Sequence, residues 1–131
     1  EAARPLHFDG SAPGQVRIGA PFPQDLRSYL ERNGALSMDV LIQQKPVAAV
    51  TLSMDCGPDC GAGVDITEQL QSMPSDKWQT LSVDLACFRD AQKLAGVFNP
   101  LILTSEGQTG LSLSKIYIKP DIGQPLIRCN D

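Results

Sequence analysis

Trp78-Gln79-Thr80-Leu81-Ser82-Val83-Asp84-Leu85-Ala86-Cys87-Phe88 is the stretch that decides the fold class. Leu81, Val83 and Leu85 alternate with Thr80, Ser82 and Asp84. A period of two is that of a half-buried strand, apolar on one face and small and polar on the other. Trp78 opens the strand and Cys87-Phe88 closes it. The pattern predicts a central strand of an antiparallel sandwich, with Trp78 as a plug in its core. The stretch carries no catalytic chemistry of its own.

Its neighbours extend the reading. Leu36, Met38, Val40 and Ile42 share one face of a strand over 35–43, with Ser37 and Asp39 on the other. Val50, Leu52 and Met54 alternate with Thr51, Ser53 and Asp55 over 47–55. The short polar turn Gln44-Lys45-Pro46 between them predicts an antiparallel hairpin. Leu101-Ile102-Leu103-Thr104 is a compact apolar run suited to a buried strand. In 111–119 the pattern slips: Leu111 and Leu113 are in one phase, Ile116 and Ile118 in the other. A β-bulge near Ser114-Lys115 returns both pairs to one face. Short strands are also expected over 5–10 and 15–19.

Helical signals are few and short. Leu26, Tyr29 and Leu30 have helical spacing, Asp25 is a candidate N-cap, and Asn33-Gly34 supplies the stop. Residues 67–73 make one helical turn ahead of Pro74, and 89–94 form another short piece. Ten prolines and eleven glycines suit a turn-rich sandwich better than a helical bundle. The fold class is all-β: an antiparallel two-sheet sandwich of jelly-roll type, seven or eight strands with one or two short helices. Residues 1–131 form a single domain with one core. The start at Glu1-Ala2-Ala3, without Met, suggests a processed chain or an excised fragment.

Composition limits function. A net charge of −4 with no Lys/Arg cluster argues against nucleic acid, and no apolar run reaches membrane-spanning length. The four cysteines allow three disulfide connectivities. Cys56 and Cys60 flank the turn Gly57-Pro58-Asp59, and a bridge there leaves Cys87 to pair with Cys129 and tie down the tail. A four-Cys zinc site is the alternative, weakened because Cys87 and Cys129 are isolated. Disulfides imply an oxidising compartment, periplasmic or extracellular.

Catalytic signals are thin. His7 is the single histidine, and no Gly-x-Ser-x-Gly motif accompanies it, so it reads as structural. Asp39, Asp55 and Asp84 fall on polar strand faces and read as solvated surface rather than a glycosidase pair. Asp55, Asp59 and Asp65 flank the cysteine loop and suggest a calcium ion only weakly, because they lack calcium-loop spacing. No cofactor and no other metal is expected. Carbohydrate binding commonly uses aromatic platforms. The candidates are Tyr117, which should point outward, with Tyr29 and Trp78.

Several segments resemble a known family. They are Asp25-Leu26-Arg27-Ser28-Tyr29, Gly34-Ala35-Leu36-Ser37-Met38-Asp39-Val40, Val50-Thr51-Leu52-Ser53-Met54-Asp55-Cys56-Gly57 with Cys60, and Val64-Asp65-Ile66-Thr67. The Trp78–Phe88 stretch, Pro100-Leu101-Ile102-Leu103-Thr104 and Gly110-Leu111-Ser112-Leu113-Ser114 with Ile116 complete the set. Together they resemble the C-terminal domain of bacterial glycoside hydrolase family 3 enzymes, the β-glucosidases and exo-β-glucan glucohydrolases of Gram-negative bacteria, from about Ala3 to Lys119. The resemblance implies a galactose-binding-like sandwich that follows two catalytic domains. Those domains carry the nucleophile and the acid/base residue, so no catalytic residue carries over. It implies upstream catalytic domains as partners, β-glucan oligosaccharides as a ligand class, and a family domain that begins before Glu1. Gln92-Lys93 departs from the family's usual Gly-Ala pair, so that loop is expected to differ.

Overall fold

Eight strands place their apolar phases inward from two facing sheets. The computed structural model describes residues 4–11, 13–18, 25–55, 63–88, 94, 96, 97, 99–121 and 125–129. The strands are β1 (Arg4–Phe8), β2 (Gly14–Ile18), β3 (Ala35–Gln44), β4 (Val50–Asp55), β5 (Val64–Asp65), β6 (Gln79–Asp84), β7 (Asn99–Ser105) and β8 (Thr109–Lys119). One sheet has the order β1-β8-β3-β6 and the other β2-β7-β4-β5. This is the double-sheet jelly roll. Among the described residues two short helices complete it, α1 (Arg27–Glu31) and α2 (Thr67–Ser72).

The expected hairpin of β3 and β4 does not form. β3 lies between β8 and β6, whereas β4 lies between β7 and β5. Both strands bury the expected residues: Leu36, Met38, Val40 and Ile42 from one sheet, Val50, Leu52 and Met54 from the other. They meet across the core rather than edge to edge. The connection through Pro46 crosses between the sheets, Gln71 Nε2 donates to the Pro46 carbonyl at 3.1 Å, and Val47 is 71% exposed. Period-two patterning reports which face is buried and not which strand is the neighbour.

The Trp78 stretch also differs from expectation. β6 is an edge strand, and from Leu85 to Phe88 the chain turns into a single 3-10 turn, with the Ala86 amide donating to Asp84 Oδ1 at 3.0 Å. The outer side of β6 is covered by the tail. Val83 and Ile127 form a parallel bridge, the Ile127 amide donates to Ser82 O, and the Asp84 amide donates to Ile127 O, both at 2.9 Å. The Cys87–Cys129 disulfide forms as expected and holds that tail in place. It removes two of the four sulfurs a zinc site needs. Cys56, Cys60 and Asp59 lie outside the described residues, as do the Asp55 side chain and all of the helix expected over 89–94 except the buried Leu94.

The bulge in β8 forms where the phase slips. Ser37 pairs with Tyr117, but Asp39 pairs with Ser114, so β8 carries one extra residue there. Lys115 takes up φ 52°, and Ile116 and Ile118 return to the core side with Leu111 and Leu113. At the end of α1, Asn33 adopts φ 54° and the Gly34 amide donates to Tyr29 O at 2.7 Å. A Cβ on Gly34 would lie 2.6 Å from that same oxygen, so glycine is required. Asp25 accepts from the Arg27 amide at 3.0 Å and ion-pairs with its guanidinium.

Thr67 joins α2 to the core. Its hydroxyl accepts from the Val50 amide at 2.8 Å and donates to Asp65 Oδ1. The Thr67 hydroxyl and, after it, the Thr67 amide hold the Asp65 carboxyl below its usual range. The carboxylate cap is therefore complete at neutral pH and lost as pH falls through that lowered value. Asp65, one of the residues considered for calcium, is thus occupied as a local cap. Thr67→Val preserves shape but strands the Val50 amide. The expected cost is about 1–2 kcal/mol, read as a lower urea midpoint at unchanged m-value.

Candidate functional site

The outward face of the first sheet carries the exposed Tyr117 of β8, and the exposed Trp78 stands one residue ahead of β6. Cross-strand register sets the layout. Ser82 of β6, Ser37 of β3 and Tyr117 of β8 form one row; Thr80, Asp39 and Ser114 form the next. Leu41 pairs with Ser112, which pairs with Pro5 of β1. Trp78 immediately precedes Gln79, the partner of Val40, and alternation puts its side chain in the phase of Thr80 and Ser82.

Trp78 is 44% exposed and Tyr117 48% exposed, and neither belongs to the core cluster. Tyr117 thus points outward as its phase requires. Trp78 corrects the expectation of a core plug. The signal was present in the chain, since Trp78 shares its parity with Thr80, Ser82 and Asp84, while the core residues Leu81, Val83 and Leu85 hold the other. Tyr29 is not brought to this face. It is half-buried on α1 and packs against the core cluster.

Between the two rings the floor is low and hydroxylic. Ser37 and Ser112 are buried among their neighbours, and Ser82, Ser114 and Thr80 surround the half-buried Asp39. Thr80 Oγ1 donates to Asp39 Oδ1 at 3.0 Å, which orients the carboxylate. Ser82 Oγ accepts from the Leu126 amide at 2.9 Å, so the tail borders the face. Lys119 Nζ lies 5.9 Å from the centre of the Tyr117 ring. Aromatic side chains at two corners, with small polar ones and the half-buried Leu41 between them, make a face that can stack apolar ring faces and exchange hydrogen bonds with hydroxyls.

The same layout weighs against a glycosidase pair on this face. Asp84 pairs with Ala35, four positions along β3 from Asp39. Strand rise and spacing then separate Asp39 and Asp84 by roughly 14 Å, beyond the roughly 5–9.5 Å that glycosidase carboxylate pairs use. His7 stands exposed in the outward phase of the edge strand β1, beside Gly110. Among the described residues no group of three or more His, Cys, Asp or Glu is placed to hold a metal ion.

A family model, Exop_C, described as galactose-binding domain-like, matches residues 1–118. The chain belongs to this family. Among curated protein sequences none matches this Exop_C domain. Solved structures do. An exo-1,3/1,4-beta-glucanase (ExoP) from a Pseudoalteromonas species is 19% identical with a TM-score of 0.71; the match covers 98% of this chain and 14% of that one. The Exop_C domain thus spans a small fraction of that enzyme's length. The extra C-terminal domain of the same ExoP, solved separately, is 20% identical with a TM-score of 0.75, covering 98% of this chain and 70% of that one. A family 30 carbohydrate-binding module of a cellulosomal cellulase from Clostridium thermocellum is 16% identical with a TM-score of 0.64, covering 91% and 75%. At these identities the likeness is one of fold.

Proposed function

We propose that this chain is a non-catalytic accessory module of a β-glucan-degrading glycoside hydrolase of family 3, binding glucan weakly on the outward face of its first sheet. The observation that carries this reading is the exposure of two rings, Tyr117 on the hydroxyl-floored outer face of β8 and Trp78 one residue ahead of β6, where strand alternation assigns it to the same face. Family membership and the fold shared with carbohydrate-binding modules support it. The ExoP structures support attachment to upstream catalytic domains, and a free-standing binding protein is the alternative arrangement. The Cys87–Cys129 disulfide supports a periplasmic or extracellular setting. Tyr29, packed on the core, contributes to the fold rather than to the sugar site.

Trp78 is the sole tryptophan, so its fluorescence reports on the proposed face directly. Titration with laminari- and cello-oligosaccharides should give saturable quenching or enhancement with Kd of about 0.1–1 mM, and Trp78→Ala should weaken binding about tenfold by calorimetry. A folded chain that shows no saturation at millimolar sugar would leave the module a purely structural partner of its hydrolase.

A further inference from the structure

We infer that the sugar path crosses the first sheet diagonally, from Trp78 to Tyr117 over Asp39, and that it takes an internal run of a neutral linear glycan rather than a single terminal sugar. The inference rests on the glycan-binding reading above and goes on to its length and direction.

The two rings occupy opposite corners. Tyr117 pairs with Ser37, which pairs with Ser82, four residues beyond Trp78 on β6. Trp78 and Tyr117 are therefore two strands apart across the sheet and four residues apart along it. At about 16 Å, from strand spacing and rise, the separation matches a linear run of about four pyranose rings. A mono- or disaccharide reaches one ring only. The row between the corners is Thr80, Asp39 and Ser114, so a chain touching both rings must pass over Asp39. One oxygen of that carboxylate is held by Thr80. An ionised carboxylate accepts hydrogen bonds and donates none, so it suits vicinal hydroxyls and repels uronate or sulfate groups. Short serines on either side leave room for the sugar edge. In the register β8 and β3 are the inner strands of the sheet, so the middle of this diagonal lies within the sheet, and the tail meets the face at Ser82, to one side of it.

The test is calorimetric titration of the intact chain with β-1,3- and β-1,4-glucan oligosaccharides of two to six units and with an oligouronate of four. Affinity should rise about tenfold or more from two units to four and then level off, with the uronate bound at least about tenfold more weakly than its neutral counterpart. Tyr117→Ala should remove the gain between two and four units and leave the disaccharide unchanged. Asp39→Asn should weaken every neutral oligosaccharide about tenfold, with the melting temperature confirming the fold. Equal affinity for two and four units, an unaltered length dependence in Tyr117→Ala, or equal binding of the uronate overturns the diagonal path while leaving the face as a sugar site. No saturable binding of any member overturns the reading beneath it.

Discussion

Reduction of the Cys87–Cys129 disulfide should lower the stability of the folded chain by about 4 kcal/mol at 25 °C, the chain-entropy value for a loop of this length. The two cysteines are 42 residues apart in sequence and join the turn after β6 to the tail. In the oxidised chain the unfolded state is a closed loop, so less conformational freedom is gained on unfolding. A loss of that size corresponds to a fall in Tm of about 10–15 °C for a domain this long. Urea melts with and without a phosphine reductant read the effect. The Cys87→Ala/Cys129→Ala chain separates it from any contribution of Cys56 and Cys60.

The loss should be uneven across the molecule. The tail's hold on β6 consists of the Ile127 and Asp84 amide bonds, the Leu126 bond to Ser82 and the packing of Ile127. Upstream, the Arg32–Asp121 ion pair at 2.6 Å and the Asp121 amide on Arg32 O anchor the point where the tail leaves β8. That ion pair is exposed and contributes little. Without the sulfur link, the amides of Ile127 and Asp84 should exchange faster than those shared by β3 and β8, and the bare β6 edge becomes open to pairing with another chain. A reduced chain within about 1 kcal/mol of the oxidised one, with Ile127 still protected, would mean that the tail's own contacts suffice.

Much of the fold was legible because burial is a local property of a strand. Leu36 to Ile42, Val50 to Met54 and Leu81 to Leu85 are buried in the phases their sequences declare. Pairing is not local. Only β4 and β5 are both consecutive and adjacent among the described strands, because each other connection crosses from one sheet to the other. The turn Gln44-Lys45-Pro46 therefore suggested a hairpin that the crossing replaced. The edge position of β6 was equally hidden, since its cover is a tail distant in sequence, marked in advance only by Cys129. The candidate site divides the same way. Tyr117 was legible from its phase opposite Ile116 and Ile118. Trp78 was misread because a large apolar ring suggests a core, although its parity placed it with Thr80 and Ser82. The meeting of Asp39 with Thr80 depends on β3 pairing with β6, a non-local fact that neither strand states.

Deleting Lys115 should be nearly as damaging as losing the disulfide. A strand shifted by one residue exchanges its faces. Residues on the Thr109 side of the bulge are paired with both β1 and β3, whereas 117–119 pair with β3 alone. The singly paired end is the part that yields. Ile116 and Ile118 would turn outward, and Tyr117 and Lys119 would turn toward the core. Losing two half-buried isoleucines and driving an ammonium inward costs about 3–5 kcal/mol. The same change removes Tyr117 from the proposed sugar face, so binding of longer oligosaccharides should fall with stability. Lys115→Gly supplies the contrast. It keeps the extra residue and suits the positive φ, at the cost of a more flexible unfolded chain, so stability should stay within about 1 kcal/mol of the parent. Urea denaturation of both chains decides the matter. If the deletion were as stable as the parent, the phase of β8 would be fixed by something other than the bulge. If Lys115→Gly were as damaging as the deletion, the lysine side chain, and not the extra residue, would be what the strand requires.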